Sequence, residues 1–313
     1  MTLFKLNPVK GLQNTLWALF SLFLVSCNQP EPVIQTLERL AYVTDGNIHI
    51  SGLSDQTHSK AGKGNEPSVS VDGRYLAYVA NIGNKQRIAI LDFPNSNTKI
   101  IDDVQGTAWN PAWSPTENRF LFSAMAQGES NGYRVVIVSH PHEDKKYVLS
   151  RPGIDIFSPV WAPDGETVFG HDTQLMYQWE KTGLLINHFS LSEKFGPLNF
   201  NSSTIIFPSA DGSKWLIATT KQEPNANTRG RSLIIHIFNE ADLSLKKVSP
   251  DGVFISGLSW GRDNHSIFFS GKTRRNQRQN DIYELNTLDN KFTQLVKNAT
   301  QPYFRAIKVV EQK

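Results

Sequence analysis

The sequence predicts an all-β fold, a six-bladed β-propeller closed by N- and C-terminal strands that share one blade. Three observations predict it. First, a turn-and-strand signature recurs five times, most clearly as Pro67-Ser68-Val69-Ser70-Val71-Asp72-Gly73-Arg74-Tyr75-Leu76-Ala77-Tyr78. It returns as Pro111-Ala112-Trp113-Ser114-Pro115, Pro159-Val160-Trp161-Ala162-Pro163-Asp164-Gly165, Pro208-Ser209-Ala210-Asp211-Gly212 and Leu258-Ser259-Trp260-Gly261-Arg262-Asp263-Asn264. With Ser70, Ser114, Ala162, Ser209 and Gly261 as equivalents, the steps are roughly 44, 48, 47 and 52 residues, the period of propeller blades. Second, β-branched and apolar runs of four to seven residues alternate with Gly, Asn, Asp and Pro clusters, and almost nothing reads as helix. Third, the two ends of the chain read as halves of one unit.

Taken from the N-terminus, the first element is a targeting segment. Lys5 and Lys10 give it a positive start with no acid before Cys27, and Thr15 to Val25 is an apolar stretch. That stretch is too short to span a bilayer as a helix and suits a secretory signal. Leu24-Val25-Ser26-Cys27 resembles the lipobox of bacterial lipoproteins, and Cys27 is the only cysteine of the chain. The resemblance implies cleavage after residue 26, a lipidated Cys27 and attachment to a membrane on its extracytoplasmic side. In such lipoproteins an aspartate after the cysteine marks inner-membrane retention, so Asn28 favours the outer membrane. Residues 27–38, polar and proline-containing at first, read as a tether, and 39–313 as the propeller.

Within the clearest copy, Ser68–Val71 reads as an inner strand, Asp72-Gly73 as a tight turn and Tyr75–Ala80 as a second strand. Arg87–Asp92 and Lys99–Ile101 follow as third and outer strands. Asp accepts backbone hydrogen bonds and Gly accepts positive φ, so the pair suits the turn. Later copies repeat the order: Phe120–Ala124, Tyr133–Val138 and Lys146–Leu149; Thr167–Phe169, Gln174–Trp179 and Leu184–Phe189; Trp215–Thr219, Ser232–Phe238 and Leu245–Val248; Ser266–Ser270, Asp281–Leu285 and Phe292–Val296. Arg39-Leu40-Ala41-Tyr42-Val43 mimics Tyr75-Leu76-Ala77-Tyr78-Val79 but has no inner strand upstream. Gln301–Val310 supplies it from the far end, and closure removes exposed edges. Trp113, Trp161 and Trp260 occupy one inner-strand position and read as rings packed between neighbouring blades.

The Pro-x-Trp-Ser-Pro-Asp-Gly pattern and the hydrophobic strand after it resemble the PD40, or TolB-like, propeller repeat over most of Arg39–Val310. The resemblance implies six blades. Its functional implication is broad, because such propellers occur in envelope systems, among prolyl oligopeptidase relatives and in carbohydrate-active proteins.

The formal charge of +3 drops to +1 without Lys5 and Lys10, so the balance gives no concentrated basic surface for nucleic acid. The single cysteine rules out intrachain disulfides, leaving core burial and ring closure to stabilise an exported domain.

Gly257-Leu258-Ser259-Trp260-Gly261 matches the G-x-S-x-G pattern but falls inside a propeller repeat with no helix after it, against a nucleophile elbow. His140-Pro141-His142-Glu143-Asp144 holds two histidines two apart but no evident further ligand, and reads as a solvated loop. His171-Asp172 reads as a turn. No metal, cofactor or catalytic set is expected. The binding candidates are basic residues: Lys272, Arg274, Arg275 and Arg278 in one loop between second and third strands, and Arg229 and Arg231 in the equivalent loop one copy earlier. Loops of this kind emerge opposite the Asp-Gly turns, so the two groups are expected at one mouth of the ring. The expected function is a monomeric, non-catalytic scaffold that binds another envelope protein there. The alternative is binding or processing of an acidic glycan.

Overall fold

A computed structural model describes residues 33–311, apart from 55–56, 103, 105, 127–132, 144, 151–152, 222–231 and 275. The described residues form six four-stranded antiparallel sheets, as a six-bladed propeller requires. Blade 1 takes its inner strand, Thr300–Glu311, from the C-terminal end, followed by Val33–Thr44, Asn47–Gly52 and His58–Lys63. Blade 2 is Asn65–Val69, Tyr75–Ile82, Lys85–Asp92 and Asn97–Ile101. Blade 3 is Ala108–Trp113, Phe120–Ala126, Tyr133–Ser139 and Tyr147–Val148. Blade 4 is Phe157–Trp161, Thr167–His171, Leu175–Glu180 and Leu185–Ser190. Blade 5 is Ile205–Pro208, Lys214–Lys221, Ser232–Asn239 and Leu245–Lys247. Blade 6 is Phe254–Trp260, Ser266–Lys272, Asp281–Asn286 and Phe292–Val296.

The shared blade forms as the sequence predicts: Tyr303 lies opposite Ala41 and Phe304 opposite Leu40. Its first two strands also run further than expected. Pairing continues to Val33 opposite Glu311, six residues before the boundary read at Arg39. The extra length has a partner because Ala306–Glu311 continues the inner strand past the point where other blades turn. Ile307 of this ribbon is buried against the Gly73 turn of blade 2.

Antiparallel connection gives the ring two faces. Turns from inner to second strand and from third to outer strand lie on one, the turn face. Loops from second to third strand and connectors between blades lie on the other, the mouth. On the turn face the repeat's Ser and Asp build the local structure. Ser70 Oγ donates to Asp72 Oδ1 at 2.7 Å, Arg74 N–H donates to the same oxygen at 2.9 Å, and Gly73 takes φ +72°. Ser209 and Asp211 repeat it at 2.8 Å, and with Ser213 N–H as the main donor the Asp211 carboxyl falls to about 2.

Between blades, the tryptophans carry both apolar area and one directed bond. Trp113 Nε1 donates to Ser68 O at 2.9 Å, Trp161 Nε1 to Ala112 O at 2.9 Å and Trp260 Nε1 to Phe207 O at 3.1 Å. Each indole thus binds the inner strand of the preceding blade, as buried Trp requires. Blade 5 has Pro208 at this position and has no such bond to give. Blade 1 has Phe304, which stacks on Phe268 of blade 6 at 5.2 Å. Phe120, Phe122, Phe268 and Phe269 are fully buried, and each contributes on the order of 1.5–3 kcal/mol.

One helix, Leu191–Phe195, was not expected. It lies in the long connector after blade 4, is capped by Ser190 Oγ accepting from Glu193 N–H, and buries Leu191 and Phe195. Five residues are too few for a helical period to show in sequence.

Candidate functional site

The mouth end of each inner strand carries a feature that explains the first residue of the repeat. Five blades have a bulge there, between Asn65 and Ser68, Trp109 and Ala112, Phe157 and Val160, Ile255 and Gly257, and opposite Ala41–Val43. In four of them a non-glycine residue takes positive φ: Glu66 (+53°), Asn110 (+52°), Ser158 (+48°) and Gln301 (+55°). Each is followed by the proline of the motif. A bulge leaves a residue out of the ladder, so a proline without N–H fits.

These bulge residues join consecutive blades by polar contacts. Glu66 N–H donates to Gln301 Oε1 at 2.8 Å, Asn110 N–H to Glu66 Oε2 at 2.6 Å, and Ile206 N–H to Ser158 Oγ at 3.4 Å. Burial pushes the Glu66 carboxyl above the ordinary glutamate range, and the Asn110 N–H offsets part of that. Nearby, the Arg134 guanidinium lies over both Trp109 and Phe157, at 5.3 and 5.0 Å. At the opposite end of the inner strands Arg305 donates to Val69 O at 3.1 Å and to Trp113 O at 3.3 Å, reaching two blades from a third.

Of the expected basic residues, Lys272, Arg274 and Arg278 lie in or beside the mouth loop of blade 6, as the sequence reading places them. Arg229, Arg231 and Arg275 lie outside the described residues, and so does Cys27. The loop has a fixed base. Asp281 accepts from Gln277 at 2.9 Å, Gln294 at 2.6 Å and the Asn298 N–H at 2.8 Å. Ala299 N–H donates to Asn280 O at 2.8 Å, and Asn280 Nδ2 donates to Ser256 Oγ at 2.8 Å. Asp281 is therefore occupied by neutral donors, and Lys272, Arg274 and Arg278 form no ion pair among the described residues.

The turn face contrasts with this. Lys181 bridges Glu117 and Glu166, both at 2.9 Å, and Arg262 reaches Glu38 at 3.7 Å and Glu284 at 3.4 Å. Asn118 Nδ2 donates to Asp72 Oδ2 at 2.6 Å, again between blades. Charge there latches blade to blade.

Beneath the blade 6 loop is a recess of about 360 Å³ between blades 6, 1 and 2, with Lys272 and Arg278 on its wall. A second cavity, about 220 Å³ and mostly apolar, lies at Tyr177, Trp179, Leu185 and Ile156 between blades 3 and 4. The recess was invisible in sequence because Asn65, Asn298 and Asp45 come from three separate repeats. Its one signal was the basic run.

Other sequence candidates take structural roles. Ser259 lies within the inner strand of blade 6, opposite Phe268, with its hydroxyl buried, so no nucleophile elbow forms. His142 Nε2 meets Tyr75 OH at 2.6 Å, and His140 Nδ1 accepts from His142 N–H at 3.2 Å. Among the described residues no three His, Cys, Asp or Glu side chains gather as a metal-binding group. His171 is buried at the end of its strand, with Nε2 3.1 Å from Thr204 O.

No protein-family model matches the chain, and no curated sequence is similar to it. Solved structures are similar in fold. TolB from Acinetobacter baumannii is 15% identical over 85% of this chain, with a TM-score of 0.64, and this chain covers 66% of its length. A putative TolB from Agrobacterium tumefaciens is 12% identical, with a TM-score of 0.56 and coverage of 88% and 100% of the two chains. A chain of a nidogen/laminin complex is 10% identical, with a TM-score of 0.57 and the same coverages. At these identities the likeness shows the fold, a TolB-like six-bladed propeller.

Proposed function

We propose that this TolB-like propeller is a non-catalytic, lipid-anchored scaffold of the bacterial cell envelope that binds another envelope protein at its mouth. The observation that carries the proposal is the blade 6 loop itself: Lys272, Arg274 and Arg278 stand without ion pairs among the described residues, while Lys181 and Arg262 on the turn face and Lys247 on the mouth are held by acids. Unpaired cations on a rigid rim steer an acidic partner and set its register. The strands hold this rim while its loops vary. No helix of the described residues is long and apolar enough to cross a membrane. Attachment is proposed through Cys27, whose lipid must supply at least two acyl chains to hold stably. The compartment is extracytoplasmic, on the outer membrane by the Asn28 criterion, and the propeller is a monomer.

Photo-crosslinking in cells from mouth positions, read by mass spectrometry, tests the reading. A discrete envelope partner is expected, lost in Arg274→Glu with Arg275→Glu while the fold stays intact. Unchanged capture by that variant removes the mouth from the proposal. Cys27→Ser is expected to move the protein out of the membrane fraction, and retention there removes the anchor.

A further inference from the structure

We infer that the recess between blades 6, 1 and 2 is a binding site for a carboxylate-bearing stretch of an acidic polypeptide. This rests on the proposal that the mouth binds a protein, and names what that protein presents. At about 360 Å³ the recess is of the size that takes a small ligand or a few side chains. Its wall carries two cations, Lys272 and Arg278, and several amides, among them Asn65, Asn280 and Asn298. The acids nearest to them are committed or set apart. Asp281 is filled by Gln277, Gln294 and the Asn298 N–H, and Glu66 Oε2 is bonded to Asn110. Asp45 faces the recess from the blade 1 loop.

The chemistry favours a peptide over a simple anion. The lining offers donors in Lys272, Arg278 and the asparagine amides, and an acceptor in the Asp45 carboxylate. A ligand that meets both kinds of group carries donors as well as anionic acceptors. Inorganic phosphate gathers its charge at one centre, whereas a peptide spaces carboxylates and N–H groups along a chain. An acidic peptide brings both: its N–H groups suit Asp45, its carbonyls suit the asparagine N–H groups, and its carboxylates suit Lys272 and Arg278.

The test is fluorescence anisotropy of labelled hexaglutamate on the detergent-solubilised full chain, with hexaglutamine, trigalacturonate and inorganic phosphate as comparisons. Hexaglutamate is expected to bind and hexaglutamine not, with affinity falling about tenfold as salt rises from about 50 to 300 mM. Lys272→Ala with Arg278→Ala is expected to weaken binding at least about tenfold. Lys291→Ala on the turn face is the control and is expected to bind as the parent does. Absent binding, full affinity in the double variant, tighter binding of trigalacturonate, or equal competition by phosphate each overturns the assignment. The scaffold proposal fails separately. A mouth cross-link that persists in a protein without hexaglutamate affinity leaves the scaffold and removes the acidic peptide, whereas loss of both removes both.

Discussion

Closure of the ring over the blade 2 turn is tested by a double-mutant cycle at Gly73 and Ile307. Gly73 has φ +72°, and a Cβ built on it would stand 2.5 Å from Ile307 Cδ1. The left-handed backbone costs an alanine about 1–2 kcal/mol. Moving the Ile307 side chain off its rotamer adds about 0.5–1.5 kcal/mol. Reduced freedom of the unfolded chain returns about 0.4–1 kcal/mol. Gly73→Ala is thus expected to destabilise by roughly 0.5–3 kcal/mol. Ile307→Ala, at a position 5% exposed, is expected to cost about 2–4 kcal/mol. In the double variant Cδ1 is gone and the steric part vanishes, so its loss should fall short of the sum by about 0.5–1.5 kcal/mol. Urea unfolding followed by tryptophan fluorescence, with an unchanged m value, reads all four corners. Additivity within about 0.3 kcal/mol would mean that Ile307 does not rest on this turn, and the proposed mode of closure would be wrong.

Two further variants probe the contacts between blades. Trp161→Phe removes the 2.9 Å bond to Ala112 O in a buried setting and is expected to cost about 1–3 kcal/mol in the same assay; Trp260→Phe, at a half-buried site with a 3.1 Å bond, should cost less, and the reverse order would count against the bonds as the source. Glu66 has its folded-state pKa raised by burial, so its carboxyl contributes stability that is whole below the unfolded value and is lost as pH rises through the folded one. Glu66→Gln keeps an acceptor for the Asn110 N–H and is expected to match the parent near pH 4 and exceed it above about pH 6; a variant less stable at neutral pH would show that the carboxylate is favoured there.

The ring was legible because its determinants are local and repeated. Each Asp-Gly turn and the following hydrophobic strand sit within a dozen residues, and the half-unit at Leu40 announced its missing strand. The bulges were written in the sequence too, as Glu66-Pro67, Asn110-Pro111, Ser158-Pro159 and Gln301-Pro302, but only the ring brings Gln301 to the Glu66 N–H across 235 positions. The outer strand of blade 3 shrinks to Tyr147–Val148 from an expected Lys146–Leu149. An outer strand has one neighbour, and propensity alone does not set its length. The basic loop showed as a charge run, whereas the recess needed Asp45, Asn65 and Asn298 to meet from three repeats. Which charges are neutralised depends on neighbours such as Asp281, whose bonds to Gln294 and the Asn298 N–H span two strands and a connector.

Val33 and Glu311 lie side by side at the turn-side end of a ribbon whose base is packed on blades 2 and 6. The six added residue pairs make a stem of about 20 Å. A body hung from that stem, whether on a lipid, a bead or a sensor chip, presents its opposite side outward. Handles joined directly to Val33 or Glu311 would then share one pole and leave the other clear for visitors.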